Sequence, residues 1–311
     1  MLVPFAICSA AACAETLRGL ALPNLQRLMR RLAVEAEDPG TPETLSTPHE
    51  RALARAHGLP ATDGLIPLAA LQVAQSGDGD PAQGWAWISP CHWRVGRDHI
   101  AMAQPQELQL DGEDSQALLA AMRPYFEEDD IALHYDAPLR WLARGEIFRS
   151  LPTASLDRVV GRTIDGWLPS GAAGAPVRRL QQEMQMLLYT LPLNDARQRG
   201  GQLPVNSFWV SGTGALPPGE RPRPATGLVV TPYLRDSALL GDWRGWAAAW
   251  QQLDARDCTR MLRDLDQGRP VRLTLCGEAG ARTWSSAGAG AWQRIRNLLA
   301  PASPAALLEG L

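Results

Sequence analysis

The amino-acid sequence predicts an α/β protein, a mixed sheet flanked by helices. Two observations carry that expectation. Short apolar runs with strand character alternate along the chain with stretches whose apolar residues recur at i, i+3, i+4 and i+7, the period of one helix face. Breaks rich in turn-forming residues separate these runs, drawing on 28 Gly and 25 Pro. At 311 residues the chain is long enough for one large domain or two small ones with sizeable cores.

Leu2 to Cys8 reads as a buried first strand. Leu25, Leu28, Met29 and Leu32 then fall on one helical face, with Pro23-Asn24 marking the entry. Residues 36–48 are polar and Pro-rich and read as a surface loop. Thr47-Pro48-His49-Glu50 has the form of a helix start, with Thr as N-cap, Pro at the first position and Glu at the third. Gly58 closes that helix. A Gly- and Asp-rich loop leads to an alternating strand, Trp85-Ala86-Trp87-Ile88. A turn (CHWRVGRDH) and a short strand (IAMAQP) come next, then a helix beginning near Asp111 or Asp114. Ile131 to Tyr135 is the next strand, and Leu139 to Leu142 another extended piece.

Residues 151–169 form a Gly- and Pro-containing connection. Val177 to Leu191 is a long helix, apolar at Leu180, Met184, Leu187, Leu188 and Leu191. The stretch PLNDARQRGGQLPVNSFWVSGTG joins it to a short apolar strand ending in a glycine-flanked turn. Residues 215–227 read as a flexible linker. The C-terminal part reads as a strand (LVVTPYL), a helix with Trp243, Trp246 and Trp250 on one stripe, and a helix around Met261, Leu262 and Leu265. A strand (VRLTLCG) and a last helix with Trp292 and Ile295 complete it.

Composition is that of a soluble globular chain, 45% hydrophobic and 20% charged. Eleven Trp against four Phe and four Tyr is unusual; a buried indole N–H needs an acceptor, so many should lie at the core boundary or in a groove. The formal charge of −3 leaves no electrostatic footprint for nucleic acid. The five cysteines are scattered without a C-x-x-C pair, as suits reduced thiols in a cytoplasm. The apolar start lacks a positive n-region and is broken by Pro4, so it does not read as a secretion signal. No run approaches the ~20 apolar residues of a membrane span. A soluble cytoplasmic protein is expected.

The Pro-x-Asn-x-x-Arg unit, Pro-Val-Asn-Ser-Phe-Trp and Gly-x-Gly of residues 192–214 resemble a segment of archaeal-type cofactor-independent phosphoglycerate mutases, of the alkaline phosphatase superfamily. SPCHWRVGRDH, LPTASLDRVVGR and PVNSFWVSGTG are similar to a closer group, the RpfE-type bacterial regulatory proteins often labelled phosphoglycerate mutase. The resemblance implies a degenerate alkaline phosphatase-like α/β core from residues 1–80 and 151–311, with a smaller inserted α/β subdomain at 81–150. It also implies a two-metal phosphoryl-transfer site, and here the sequence departs from the pattern. Where active members carry Asp-Gly after the first strand, this chain has Ala6-Ile7-Cys8-Ser9. Where they carry the nucleophilic Ser and an Asp, ungapped counting gives His49-Glu50. No His follows His134. Without two divalent ions the activation of a nucleophile and the clamping of a phosphoryl group are lost, so no metal, cofactor or catalytic residue is expected.

The densest functional-looking cluster is Cys91 to His99. His92, Arg94, Arg97 and His99 on a strand-turn-strand could bind a carboxylate or phosphate, or could face water with Asp98 pairing Arg94 or Arg97. Arg158 and Arg162 lie in a loop and could face a ligand, or Asp157 and Arg158 could form a buried pair. Asn194, Arg197, Asn206 and Ser207 sit inside the family-like motif. Asn beside Pro commonly ties down turns, the alternative being substrate contact. The expected function is a non-catalytic regulatory or small-anion-binding relative of the mutases, its partner a small anionic metabolite or a protein, with no nucleic acid or membrane. The alternatives are two. One is an active phosphoryl-transfer enzyme with a site rebuilt from His49, His92 or His99 and Asp236, Asp242, Asp254 and Asp257. The other is an interaction scaffold using an apolar patch over Trp243 and Trp250.

Overall fold

The structure of the protein, a computed structural model, describes residues 1–287, 308 and 311. In chain order the first elements are β1 (Leu2–Val3), α1 (Ala11–Arg18), α2 (Pro23–Met29), β2 (Ala33–Asp38), α3 (Pro48–His57) and α4 (Leu68–Ser76). Next come β3 (Trp85–Cys91), β4 (Trp93–Val95), β5 (Ile100–Met102), α5 (Gly112–Glu127), β6 (Ala132–Ala137) and β7 (Arg140–Arg144). The chain continues through α6 (Leu156–Val159), α7 (Gly171–Tyr189), α8 (Pro192–Arg199), β8 (Ser207–Gly214), α9 (Tyr233–Leu240) and α10 (Trp243–Leu253). A π-helical turn at Asp254–Cys258 leads into α11 (Thr259–Asp266), β9 (Arg272–Cys276) and β10 (Ala281–Ser285). The expected last helix with Trp292 and Ile295 lies outside the described residues. The chain divides into two compact units, one of residues 1–43, 47–53 and 225–311, the other of residues 44–46 and 54–224.

The first unit holds a mixed sheet in the order β1-β9-β10-β2, with β1 parallel to β9 and the other pairs antiparallel. Its core gathers the apolar stripe of α2 (Leu25, Leu28, Met29), Leu22, Leu273, Leu275 and the indoles of α10. Trp246 and Trp250 are fully buried and meet edge to face at 6.1 Å. Each finds the acceptor a buried indole needs: Trp246 Nε1 donates to Phe5 O at 2.9 Å and Trp250 Nε1 to Ala6 O at 3.3 Å. That is why the first strand ends at Val3 rather than Cys8. Phe5 adopts φ 54°, and the Phe5 and Ala6 carbonyls serve the indoles instead of a sheet ladder. The tryptophan stripe of α10 thus packs inward, Trp243 lying partly buried against the same core, and Trp250 is removed from the exposed apolar patch that the scaffold alternative called for.

Two further differences belong to this unit. Leu228 to Leu234 is not a strand: Leu2 N–H donates to Val229 O at 2.8 Å and Thr231 N–H to Leu2 O at 3.0 Å. Beyond that bridge Pro232 offers no N–H and α9 begins at Tyr233. Conversely Ala33 to Asp38, whose later residues read as loop, is strand β2 at the sheet edge beside β10, where acidic side chains face water without cost.

The second unit is built on an antiparallel sheet in the order β6-β7-β3-β8. Helices α5 and α7 supply Phe126, Met122, Met184 and Leu188 to the same core cluster as Trp141 and Phe208 of the sheet. The Phe126 and Phe208 rings lie 5.1 Å apart. A helix not expected from the sequence, α4, joins Ala69, Ala70 and Val73 to Trp85. The glycines expected to flank a turn lie instead within β8, where the register against β3 shifts between Trp85 and Trp87. Gly212 has φ 63°, and a Cβ there would meet the Trp87 ring at 2.7 Å, so only glycine suits the position. Mixed α/β architecture with helices against sheets is therefore what the chain forms.

Candidate functional site

The residues expected to form a site all belong to the second unit, and they separate into a surface set and an interior set. β4 and β5 make a two-stranded hairpin, Trp93 opposite Met102 and Val95 opposite Ile100. The 160–164 segment runs alongside β5. Gly161 N–H donates to Met102 O, Met102 N–H to Arg162 O, and Ile164 N–H to Ile100 O, at 2.9–3.0 Å. Arg162 is thereby brought beside the hairpin that carries Arg94, Arg97 and His99. All four side chains are exposed.

Pairing on this surface differs from the expected one. Arg94 pairs with Glu107, and Asp98 pairs with His99 Nδ1 at 2.9 Å. Arg97 has no ion-pair partner among the described residues. His92 is turned inward, its Nδ1 2.9 Å from Pro204 O. The neighbouring Cys91 is buried, and burial pushes its thiol well up, with hydrogen-bond approaches from Trp93 and Ser207 offsetting part of the effect. A protonated, buried thiol is a poor metal ligand.

The interior set holds the fold together. Asn194 is buried, its amide donating to Leu188 O at 2.8 Å and Val205 O at 2.7 Å while its oxygen accepts from Val205 N–H at 3.0 Å. Arg197, 2% exposed, meets Asp114 at 2.6 Å and donates to the carbonyls of Leu108 and Leu203. Asn206 brackets Trp93, accepting from its N–H at 2.7 Å and donating to its carbonyl at 2.9 Å. Arg158 is buried and donates to Thr44 Oγ1 at 2.9 Å and Ser46 O at 3.1 Å. Ser207 is fully buried against β3. Every one of these groups except Ser207 spends donors on its own chain, which is the structural alternative the sequence left open.

Among the described residues no group of three or more His, Cys, Asp or Glu side chains comes together to hold a metal. The acids of the rebuilt-site alternative each serve a local purpose in the first unit. Asp254 caps α2 through Leu25 N–H at 2.6 Å and the Asn24 side chain at 3.1 Å. Asp242 caps α10 through Gly245 N–H at 2.9 Å. Asp236 pairs with Arg235 and Asp257 with Arg260. Thr47, next to the expected nucleophile position, caps α3 as the sequence predicts: it accepts from Glu50 N–H at 3.4 Å, and its own N–H donates to Glu50 Oε2 at 2.8 Å. Among the described residues no helix is long and apolar enough to cross a membrane.

No family model matches the chain, and no curated protein matches it. Solved structures similar in fold include two. One is the cofactor-independent phosphoglycerate mutase of Thermoplasma acidophilum DSM 1728, at 11% identity and a TM-score of 0.37, covering 91% of this chain and 88% of that one. The other is the PH0037 protein of Pyrococcus horikoshii, at 11% identity and a TM-score of 0.46, covering 91% of this chain and 86% of that one. At this identity the similarity is one of chain fold and does not extend to activity.

Proposed function

We propose that this protein is a non-catalytic, small-anion-binding relative of the cofactor-independent phosphoglycerate mutases, with a cytoplasmic regulatory role of the RpfE type. The observation that supports it best is the exposed basic surface of the β4–β5 hairpin, where Arg97 stands without an ion-pair partner among the described residues beside Arg94, His99 and Arg162. Guanidinium groups offer the forked donors that carboxylate and phosphate accept. The interior residues of the family-like motif are spent on backbone carbonyls, so recognition falls to this surface. Support for the non-catalytic half comes from Asp254 and Asp242, held in helix caps, and from Asp236 and Asp257, held in ion pairs.

A coupled phosphoglycerate mutase assay, with manganese and with chelator, tests the catalytic half of the proposal. The expected outcome is no turnover above background in either condition; metal-dependent turnover overturns it. Thermal denaturation with millimolar phosphate or 3-phosphoglycerate tests the binding half. An anion at 100 times its Kd stabilises by about 2.7 kcal/mol, and this shift should be lost in Arg97→Ala and reduced in Arg162→Ala. A shift that survives both substitutions removes the hairpin from the proposal.

A further inference from the structure

The first unit carries a second feature that the anion-binding reading leaves unused. Cys8, in the connection from β1 to α1, and Cys13, in the first turn of α1, are five positions apart. Cys8 N–H donates to Cys13 Sγ at 3.3 Å, and the Cys8 side chain hydrogen-bonds the Cys13 thiol. The two sulfurs are therefore held against each other by the fold. Ser9, Ala10, Ala11 and Ala12, which bridge them, are all exposed, and three of the four carry only a methyl group. Both thiols are buried at the margin of the first unit's core, Cys13 completely, and this short turn of small residues is the segment that a reactant displaces to reach them.

We infer that Cys8 and Cys13 form a redox-active dithiol that closes to an intramolecular disulfide by exchange with a small-molecule disulfide such as oxidised glutathione. In the first step the Cys13 thiolate attacks one sulfur of oxidised glutathione, forming a mixed disulfide and releasing one glutathione thiolate. Cys8 then loses its proton, attacks the Cys13 sulfur and expels the second glutathione. Two protein thiols are oxidised and one glutathione disulfide is reduced to two glutathione thiols, whose sulfurs take up the two protons that the protein thiols give up.

The chemistry favours this pair over the other thiols. The hydrogen bonds from Cys8 draw the Cys13 thiol below its ordinary pKa despite opposing burial and the nearby Glu278 carboxylate. Cys13 also lies in the first turn of α1, where the helix end favours a thiolate. At Cys91 burial pushes the thiol up, and at Cys258 burial, Asp254 and Asp257 do so together. Disulfides in reducing compartments are typically transient and redox-sensing, and exchange needs a thiolate within reach of a second sulfur.

The test uses the full native chain. Protein is equilibrated in graded mixtures of oxidised and reduced glutathione, trapped with iodoacetamide, and digested with trypsin. Met1 to Arg18 is a single tryptic peptide containing both cysteines. The expected result is that this peptide becomes two hydrogens lighter and resists alkylation as the mixture turns oxidising, and that dithiothreitol restores the doubly alkylated form. Cys8→Ser should instead trap glutathione on Cys13, marking the order of attack. If that variant does not fold, the wild-type map alone decides. Double alkylation across the whole series, or glutathione adducts on the wild-type peptide with no internal bond, overturns the inference.

Discussion

At Arg197 a guanidinium is enclosed by its own chain, with Asp114 on one nitrogen and the Leu108 and Leu203 carbonyls on the others. Removing the charge while keeping the length, as in Arg197→Met, leaves two buried carbonyls without their donor and a partly buried carboxylate without its cation. Breaking a buried pair in this way costs about 3 kcal/mol or more. Urea denaturation should show that loss, whereas the thermal shift caused by phosphate should persist in the variant. A lost phosphate response with unchanged stability would return Arg197 to the ligand site. The Pro-x-Asn-x-x-Arg motif was visible in the sequence, and so was the habit of Asn beside Pro to tie down turns, which Asn194 follows. What the motif could not disclose is that the partners of Arg197 lie 83 and 89 positions earlier. A residue type announces that it will be bound; only the fold says whether chain or ligand binds it.

Helix ends were the most legible elements, because a cap is a contact among residues three or four positions apart. The capping box of α3 forms as Thr47-Pro48-His49-Glu50 predicted, and Asp111 caps α5 by accepting from Asp114 N–H at 2.9 Å. Thr47→Ala should therefore cost about 1 kcal/mol, measured by denaturant unfolding, with restoration by Thr47→Ser. A nucleophile's loss would instead leave stability intact and abolish an activity. Strands were harder to read, since their pairing is set by distant partners. Apolar Leu228 to Leu234 took the helix start that Pro232 permits, while acidic Ala33 to Asp38 took an edge position, where the outward-facing charges are solvated. Ser207 to Gly214 is legible as a short apolar strand, but its hydrogen-bonded neighbour, Trp85 to Cys91, lies more than a hundred positions earlier.

The first unit is assembled from both ends of the chain. Strands β1 and β2 come from its start and β9 and β10 from its end, interleaved so that β9 sits between β1 and β10, and β10 between β9 and β2. Leu25 and Leu28 of α2 share one core with Trp246, Trp250 and Leu273. Between these contributions lies the exposed turn at Pro218-Gly219, with Gly219 at φ 77°, in the stretch that composition marks as a linker. Exposed turns of this kind tolerate insertion and cutting. A recognition site for a sequence-specific protease placed between Pro218 and Gly219 should therefore be cleaved completely in the native protein. Residues 1–218 and 219–311 should then co-elute on size exclusion and part only in denaturant, because neither fragment can complete the four-stranded sheet or cover its apolar face alone. Fragments that separate in plain buffer would mean that each half closes its own core, contrary to the β1–β9 and β2–β10 pairing. The same reasoning fixes the consequence of losing the C-terminal segment: without β9 and β10 the first two strands have no partner, and residues 1–43 should lose their protection from hydrogen exchange.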